Sequence, residues 1–189
     1  MTWTICRVST CAALIVVGTA VRAAAQAPPD SPLDMSVGYQ ATHIPGQTYP
    51  FGISFDISGA LTRMIRIVGE VGLSVATQTT SSFGSGTLTL YHYGAGPRFV
   101  ATANRVRLFA QVLAGGVRTH ADLTTTSGLP FIDGDNAFML QPGGGVIVPL
   151  TGSFSVIASA AYQRAFFKEY GGDNETRAFL GLQIARRGQ

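Results

Sequence analysis

Apolar and polar residues alternate along most of this chain, and this period limits the folds that are open to it. The clearest case is residues 49–58, in which Tyr49, Phe51, Ile53, Phe55 and Ile57 alternate with small or polar residues. Successive side chains of a β-strand point to opposite faces, so a strand here would carry one apolar and one polar face. About ten residues of this kind are typical of a strand that crosses a bilayer beside a polar lumen.

The same alternation recurs in seven further segments. Their apolar faces run over Leu33–Ala41, Ile65–Val75, Tyr91–Phe99, Val106–Ala114, Phe138–Val148, Phe154–Tyr162 and Ala178–Ile184. Eight strands is an even number, as in single-chain bacterial outer-membrane barrels. The sequence therefore predicts an all-β protein, an eight-stranded antiparallel transmembrane up-and-down β-barrel.

The connections between these strands alternate between long and short. The long ones are predicted at residues 42–48, 77–86, 119–136 and 165–173. Outer-membrane barrels have short periplasmic turns and longer extracellular loops. We therefore expect the long connections outside the cell and both chain ends in the periplasm.

The first 25 residues have the pattern of a secretory signal peptide. Arg7 precedes an apolar run from Cys11 to Val21, and Ala23-Ala24-Ala25 supplies a small-residue cleavage site. A run of about eleven apolar residues is too short to span a bilayer as a helix. We predict a cleaved signal peptide at 1–25, a short linker at 26–32 and the barrel at 33–187.

Cleavage would change the composition of the mature chain. Both cysteines lie in the signal peptide, so the exported part would have no disulfide and would depend on a continuous hydrogen-bonded sheet. Without Arg7 and Arg22, eleven of the thirteen basic residues would remain against ten acidic ones. This near-neutral balance argues against a nucleic-acid partner. We expect the protein to be a monomer surrounded by outer-membrane lipid.

Aromatic residues fall towards the predicted strand ends, where membrane barrels carry aromatic girdles. The residues expected in these girdles are Tyr39, Tyr49, Tyr91, Tyr93, Phe99, Phe154 and Tyr162. The opposite parity points polar side chains into the barrel. The lumen is predicted to hold a structural polar network of Asp56, Arg66, Glu70, His92, Arg98 and Gln111, with Asp56 and Arg66 as a cross-strand pair.

Three segments carry a resemblance to a known family. They are Tyr93-Gly94-Ala95-Gly96-Pro97-Arg98-Phe99, Phe109-Ala110-Gln111-Val112-Leu113-Ala114-Gly115-Gly116, and Gly143-Gly144-Gly145 followed by Val148-Pro149-Leu150. Over Leu33 to Arg187 the chain resembles the small outer-membrane β-barrels of the OmpX and OmpA type. Members of that family typically end in an aromatic residue that the insertion machinery reads, whereas this chain ends Ala185-Arg186-Arg187-Gly188-Gln189.

The resemblance implies a bacterial outer-membrane location and functions that vary among members. We expect no cofactor, no metal and no catalysis. His43 and His120 have no second ligand at metal spacing, and the parity of His92 points it away from the lipid face, without a serine partner. The acidic run Asp133-Gly134-Asp135-Asn136 reads as a solvated turn.

Extracellular loops are the expected carriers of function, through a surface ligand or a host or cell-envelope partner. One alternative is a lipid-modifying outer-membrane enzyme. The other is a soluble, lipocalin-like carrier of a small ligand, which would need an apolar interior.

Overall fold

The computed structural model describes residues 32–80, 84–124, 130–133, 136–151, 153–167 and 171–186. In these ranges lie nine β-strands: β1 Leu33–Ile44, β2 Gln47–Ala60, β3 Ile65–Thr80, β4 Gly84–Ala103, β5 Val106–Thr124, β6 Pro130–Asp133, β7 Asn136–Thr151, β8 Phe154–Phe167 and β9 Gly171–Arg186. Among the described residues there is no helix long and apolar enough to cross a membrane. The predicted signal peptide and nearly all of the predicted linker lie outside the described residues.

Eight of these strands close into an antiparallel barrel. Each strand pairs with its neighbour along the chain, β1 pairs with β9 at the chain ends, and β4 pairs with β5 to complete the ring. The short β6 pairs with β5 in the same register as β7 does. It therefore lengthens the β5–β7 hairpin beyond the closed ring. The predicted eight-stranded up-and-down barrel is confirmed.

The two ends of the barrel differ in what they carry. The terminal end holds Leu33, Arg186 and the strand ends that flank residues 61–64, 104–105 and 152–153. The loop end holds the strand ends that flank residues 45–46, 81–83, 125–129 and 168–170.

The outer surface of the barrel is apolar and its interior is polar. Ile53, for example, leaves 51% of its side chain exposed, while Ser54 and Asp56 on the same strand are buried. Outward-facing apolar side chains continue around the ring: Met35, Val37, Phe55, Ile57, Ile67, Val71, Val112, Leu140, Val146, Val148, Leu180, Leu182 and Ile184. A water-soluble barrel buries such residues, so this inverted pattern is that of a transmembrane barrel.

Six of the seven predicted girdle aromatics face outward. They are Tyr39, Tyr91, Tyr93, Phe99, Phe154 and Tyr162. The Tyr39 hydroxyl donates to the Pro50 carbonyl, and the Tyr162 hydroxyl donates to Asn174 Oδ1 at 2.6 Å. Amphipathic rings of this kind favour the level where lipid meets water.

Tyr49 was predicted to face lipid, and this prediction is wrong. The β1–β2 register shifts by one residue between Gln40 and Thr42, because Pro50 and Phe51 of β2 together oppose the single residue Ala41. Proline has no N–H for the ladder and is therefore tolerated at such a bulge. The extra residue reverses the parity beyond it, so Tyr49 points into the barrel with 6% of its surface exposed.

The predicted long connections are mostly paired strand. β3 and β4 remain in register to Thr80 and Gly84, and β5 pairs with β6 as far as Thr124 and Pro130. The first connection shortens to Pro45-Gly46, where Gly46 has a φ of 88° that a tight two-residue turn requires. Threonine-rich segments such as 77–80 favour strands, so the hairpins extend beyond the apolar belt. The acidic run Asp133–Asn136 lies only partly in the described residues.

The exposed position of Ile53 in the middle of the belt allows a test of the membrane-facing side. We expect Ile53→Arg to lower the free energy of unfolding by about 2–4 kcal/mol, because an arginine near the bilayer midplane loses its hydration. Leu61→Arg is the control, since Leu61 is 68% exposed in a turn at the terminal end. Denaturant unfolding in phospholipid vesicles measures both variants. Equal losses would contradict the assigned faces.

Candidate functional site

The interior of the barrel holds an equal number of acidic side chains and arginines. Alternation along each strand points these side chains inward. Among the described residues the buried members are the four carboxylates Asp34, Asp56, Glu70 and Glu175 and the four arginines Arg66, Arg98, Arg107 and Arg177. A charge in a narrow lumen is costly unless it is paired, and the balance of signs makes complete pairing feasible.

A central cluster is organised around Arg177 of β9, which reaches four other strands. Its guanidinium lies 2.7 Å from Glu70 Oε1 on β3 and donates to Gln141 Oε1 on β7 at 2.6 Å. It also donates to Gln40 Oε1 on β1 at 2.9 Å. The planar fork of an arginine can bond several acceptors at once, so Arg177 links strands from different parts of the ring.

Two further side chains complete the central cluster. His92 Nε2 lies 3.3 Å from Glu70 Oε1, and the histidine is 2% exposed. Gln163 accepts from Arg177 at 3.3 Å and donates to Glu175 Oε2 at 2.9 Å. Glu70 is therefore held by one arginine, one histidine and the amide of Gln141.

Arg98 forms a second set of contacts beside the central cluster. It pairs with Asp56 Oδ2 at 3.2 Å and donates to Gln111 Oε1 at 2.7 Å. Its guanidinium lies 4.6 Å from the centroid of the Phe109 ring, in a cation–π contact. Phe109 belongs to an apolar patch with Val100, Ile147 and Ile157.

A third cluster lies at the terminal end. Arg66 pairs with Asp34 Oδ2 at 3.1 Å and donates to the Ser58 hydroxyl at 3.1 Å. Arg107 lies 3.7 Å from the same Asp34 oxygen and donates to Gln183 Oε1 at 3.1 Å. This cluster connects the first and last strands of the barrel to β3 and β5.

An apolar layer closes the lumen at the loop end. It is formed by Tyr49, Ala76, Leu90, Val117, Ala137 and Ala165, with Ile44, Leu88 and Phe167 packed against it. These side chains come from seven of the eight barrel strands. Apolar side chains therefore occupy most of the cross-section of the lumen at this end.

The structure places all six residues of the predicted network inside the barrel. It brings Arg98 together with Asp56 and Gln111, and His92 together with Glu70. It does not pair Arg66 with Asp56.

The predicted Asp56–Arg66 pair is wrong because of the length of β2. That strand continues to Ala60, so Ala60 lies opposite Arg66 and Asp56 lies opposite Glu70. The carboxylates of Asp56 and Glu70 therefore lie on adjacent strands at the same level. Each is paired with a different arginine, Asp56 with Arg98 and Glu70 with Arg177.

Sequence reasoning did not include several members of these clusters. The missed residues are Asp34, Gln40, Arg107, Gln141, Gln163, Glu175, Arg177 and Gln183. The alternation that predicts the apolar faces also gives Asp34, Gln40, Gln141, Arg177 and Gln183 an inward parity. Some of their contacts, such as that between Arg177 and Glu70, join residues far apart in the sequence on different parts of the ring. The spacing of residues along one strand cannot predict such a pair.

The interior offers little room for chemistry on a substrate. Ser54, Asp56, Glu70, Arg98 and Gln111 line part of a cavity of about 20 Å³. This space suits one water molecule, and Asp56 Oδ1 and Arg98 Nη1 are buried without a protein partner. The described residues contain no group of three metal-ligating side chains.

The Asp56–Arg98 contact predicts an energetic coupling between these two residues, in place of the Asp56–Arg66 pair predicted from the sequence. In a double-mutant cycle, Asp56→Asn and Arg98→Gln should show a coupling of about 0.5–3 kcal/mol, because each single change leaves a buried charge unpaired. The control cycle uses Asp56→Asn and Arg66→Gln, which should be additive within about 0.5 kcal/mol. Denaturant unfolding in one detergent measures both cycles. A larger coupling in the control would contradict the described pairing.

Comparisons with known proteins agree on the fold. No protein-family model matches the chain, and no curated protein matches it. Among solved structures, Ail, the attachment invasion locus protein of Yersinia pestis, in complex with the heparin analogue sucrose octasulfate, is 16% identical. The match covers 84% of this chain and 99% of that chain with a TM-score of 0.57.

A second match is Neisserial surface protein A, NspA. It is 12% identical, and the match covers 82% of this chain and 96% of that chain with a TM-score of 0.63. Ail in a phospholipid bilayer nanodisc also matches, at 18% identity, 83% and 100% coverage and a TM-score of 0.50. The chain therefore has the fold of the small eight-stranded outer-membrane β-barrels.

Proposed function

We propose that this protein is an outer-membrane surface protein that binds extracellular partners through its loop end. The observation that carries the proposal is the combination of a closed, filled lumen with hairpins that extend past the apolar belt at one end. The two proteins of like fold, Ail and NspA, are named as an attachment invasion protein and a surface protein. Their names support the proposal, and their low identity limits the likeness to the fold.

A filled lumen argues against a pore. Arg98, Arg177 and their partners occupy the centre, and the apolar layer with Leu90 and Val117 closes the loop end. An eight-stranded barrel has an interior only wide enough for its own side chains or one small ligand. A diffusive channel is therefore not part of the proposed function.

The same interior argues against both alternatives. A lipocalin-like carrier needs apolar walls around a ligand cavity, whereas these walls carry paired charges. A lipid-modifying enzyme needs its catalytic groups at the lipid face. His92 points into the lumen and contacts Glu70, so we propose a structural role for it and a non-catalytic role for the protein.

Charges at the loop end indicate the kind of partner. The segments 119–136 and 165–173 contain five carboxylates and one lysine, and an exposed arginine directly precedes each segment. The carboxylates are Asp122, Asp133, Asp135, Glu169 and Asp173, and the cations are Lys168, Arg118 and Arg164. A negative surface attracts positively charged partners and repels polyanions. We therefore favour a basic partner over a sulfated sugar such as the heparin analogue bound to Ail.

Topology on intact cells tests the proposed orientation. Cysteines placed at Ser82, Thr125 or Gly171 should react with a membrane-impermeant maleimide, because the strands that flank these positions, or begin at them, meet the loop end. Cysteines at Ala103 or Gly152 should react only after the outer membrane is permeabilised. The reverse pattern would place the loop end in the periplasm and would reject a surface role.

Adhesion to charged beads tests the class of partner. Cells that display the protein should bind oligolysine beads more than heparin beads, because carboxylates predominate at the loop end. The double substitution Asp133→Asn and Asp135→Asn should weaken this binding, while Thr126→Asn should not, since it adds an amide to the same connection without removing charge. Preferential binding to heparin would contradict the basic-partner proposal.

A further inference from the structure

The lipid-facing surface of β2 to β5 contains a groove of about 450 Å³. Its floor is a row of small residues on three adjacent strands, where Gly69 pairs with Ala95 and Ala95 pairs with Ala114. Larger side chains, including Phe55 and Tyr93, stand around this floor. The surrounding belt is apolar, so the groove opens towards lipid.

Tyr93 separates the groove from the loop end. Its ring lies across Gly116 on the neighbouring β5, and a Cβ at Gly116 would come within 2.5 Å of the Tyr93 hydroxyl oxygen. Any larger residue at position 116 would push the ring away from the sheet. Glycine here lets the tyrosine ring and its hydroxyl lie against position 116 of β5.

Arg118 follows Gly116 on the same outer face of β5. It lies opposite Tyr91 in the β4–β5 register and is exposed, roughly 13 Å along the strand from Ala114. Within the described residues Arg118 forms no ion pair with a carboxylate. An unpaired cation on a lipid-facing surface is stable where it meets the phosphates of lipid headgroups.

One other exposed arginine lies on the outer face near this end. Arg164 of β8 lies 5.5 Å from the centroid of the Phe166 ring, opposite Leu140 of β7. Arg164 is not among the residues that line the groove on β2 to β5. Arg164 therefore serves as a matched control for a cation at the membrane surface.

We propose that this outer face is a binding site for one phosphorylated membrane lipid, with an acyl chain in the groove and the headgroup phosphate on Arg118 and the Tyr93 hydroxyl. An acyl chain fits because an unfilled groove would forfeit dispersion contacts with its lining. The phosphate fits because arginine binds phosphate through charge-assisted hydrogen bonds. The inference rests on the proposed membrane insertion and is independent of the surface-binding role.

Native mass spectrometry of the full chain in detergent tests the site with three probes. Dipalmitoyl phosphatidate carries chains and phosphate, dipalmitoylglycerol carries only chains, and glycerol 3-phosphate carries only phosphate. We expect phosphatidate to bind at least about tenfold more tightly than dipalmitoylglycerol, since it alone adds a charge-assisted contact. Glycerol 3-phosphate should not bind measurably, because the groove supplies the remaining affinity.

Substitutions separate the two parts of the site. Arg118→Gln should reduce phosphatidate binding about tenfold, to the level of dipalmitoylglycerol. Ala114→Phe should weaken both lipids because the ring fills the groove, and Ala95→Leu is a milder second variant. Arg164→Gln and Ala178→Phe, an outward position on β9, should bind phosphatidate like the unchanged protein.

Three results would overturn the lipid site. They are an equal loss in Arg164→Gln, unchanged binding when Ala114 and Ala95 are enlarged, and binding of glycerol 3-phosphate as tight as that of phosphatidate. Heat-modifiable migration on a gel verifies that each variant is a closed barrel. An unchanged chain without that migration would instead reject the membrane barrel on which the proposed function rests.

Discussion

Backbone hydrogen bonding is the constraint on which this structure depends. A bilayer core provides no water for an unpaired N–H or C=O group, so every membrane-spanning strand needs a partner on both sides. The pairing of β1 with β9, from Leu33 with Arg186 to His43 with Thr176, removes the two edges that the chain ends would otherwise leave. Closure then fixes one face of every strand as interior and the other as exterior.

The closed ring makes the interior a place where charges must satisfy one another. Its polar face carries four acidic and four arginine side chains among the described residues, and Arg177 alone contacts acceptors on β1, β3, β7 and β8. Such contacts stabilise a particular ring because each strand contributes a polar group that only its correct neighbours satisfy. Burial removes these pairs from bulk water, where screening would weaken them.

Alternation alone predicted the strands and their faces. In a closed barrel, successive side chains of a strand point in turn to the interior and to the exterior, so a period of two residues identifies both faces. It was wrong at Tyr49, where a bulge at Pro50 reverses the parity, and no alternation pattern contains that information. It was also wrong for Asp56 and Arg66, because two residues of additional strand shift every partner across a hairpin. Contacts such as Arg177 with Glu70 depend on the shape of the closed ring and were inaccessible to local reasoning.

The separation of interior and exterior also separates stability from recognition. Substitutions in the hairpins at the loop end leave the pairs of Arg98 and Arg177 untouched, because the apolar layer lies between them. Loop-end sequence can therefore change in charge and length while the same interior holds the barrel closed, which is how one fold serves different surface functions.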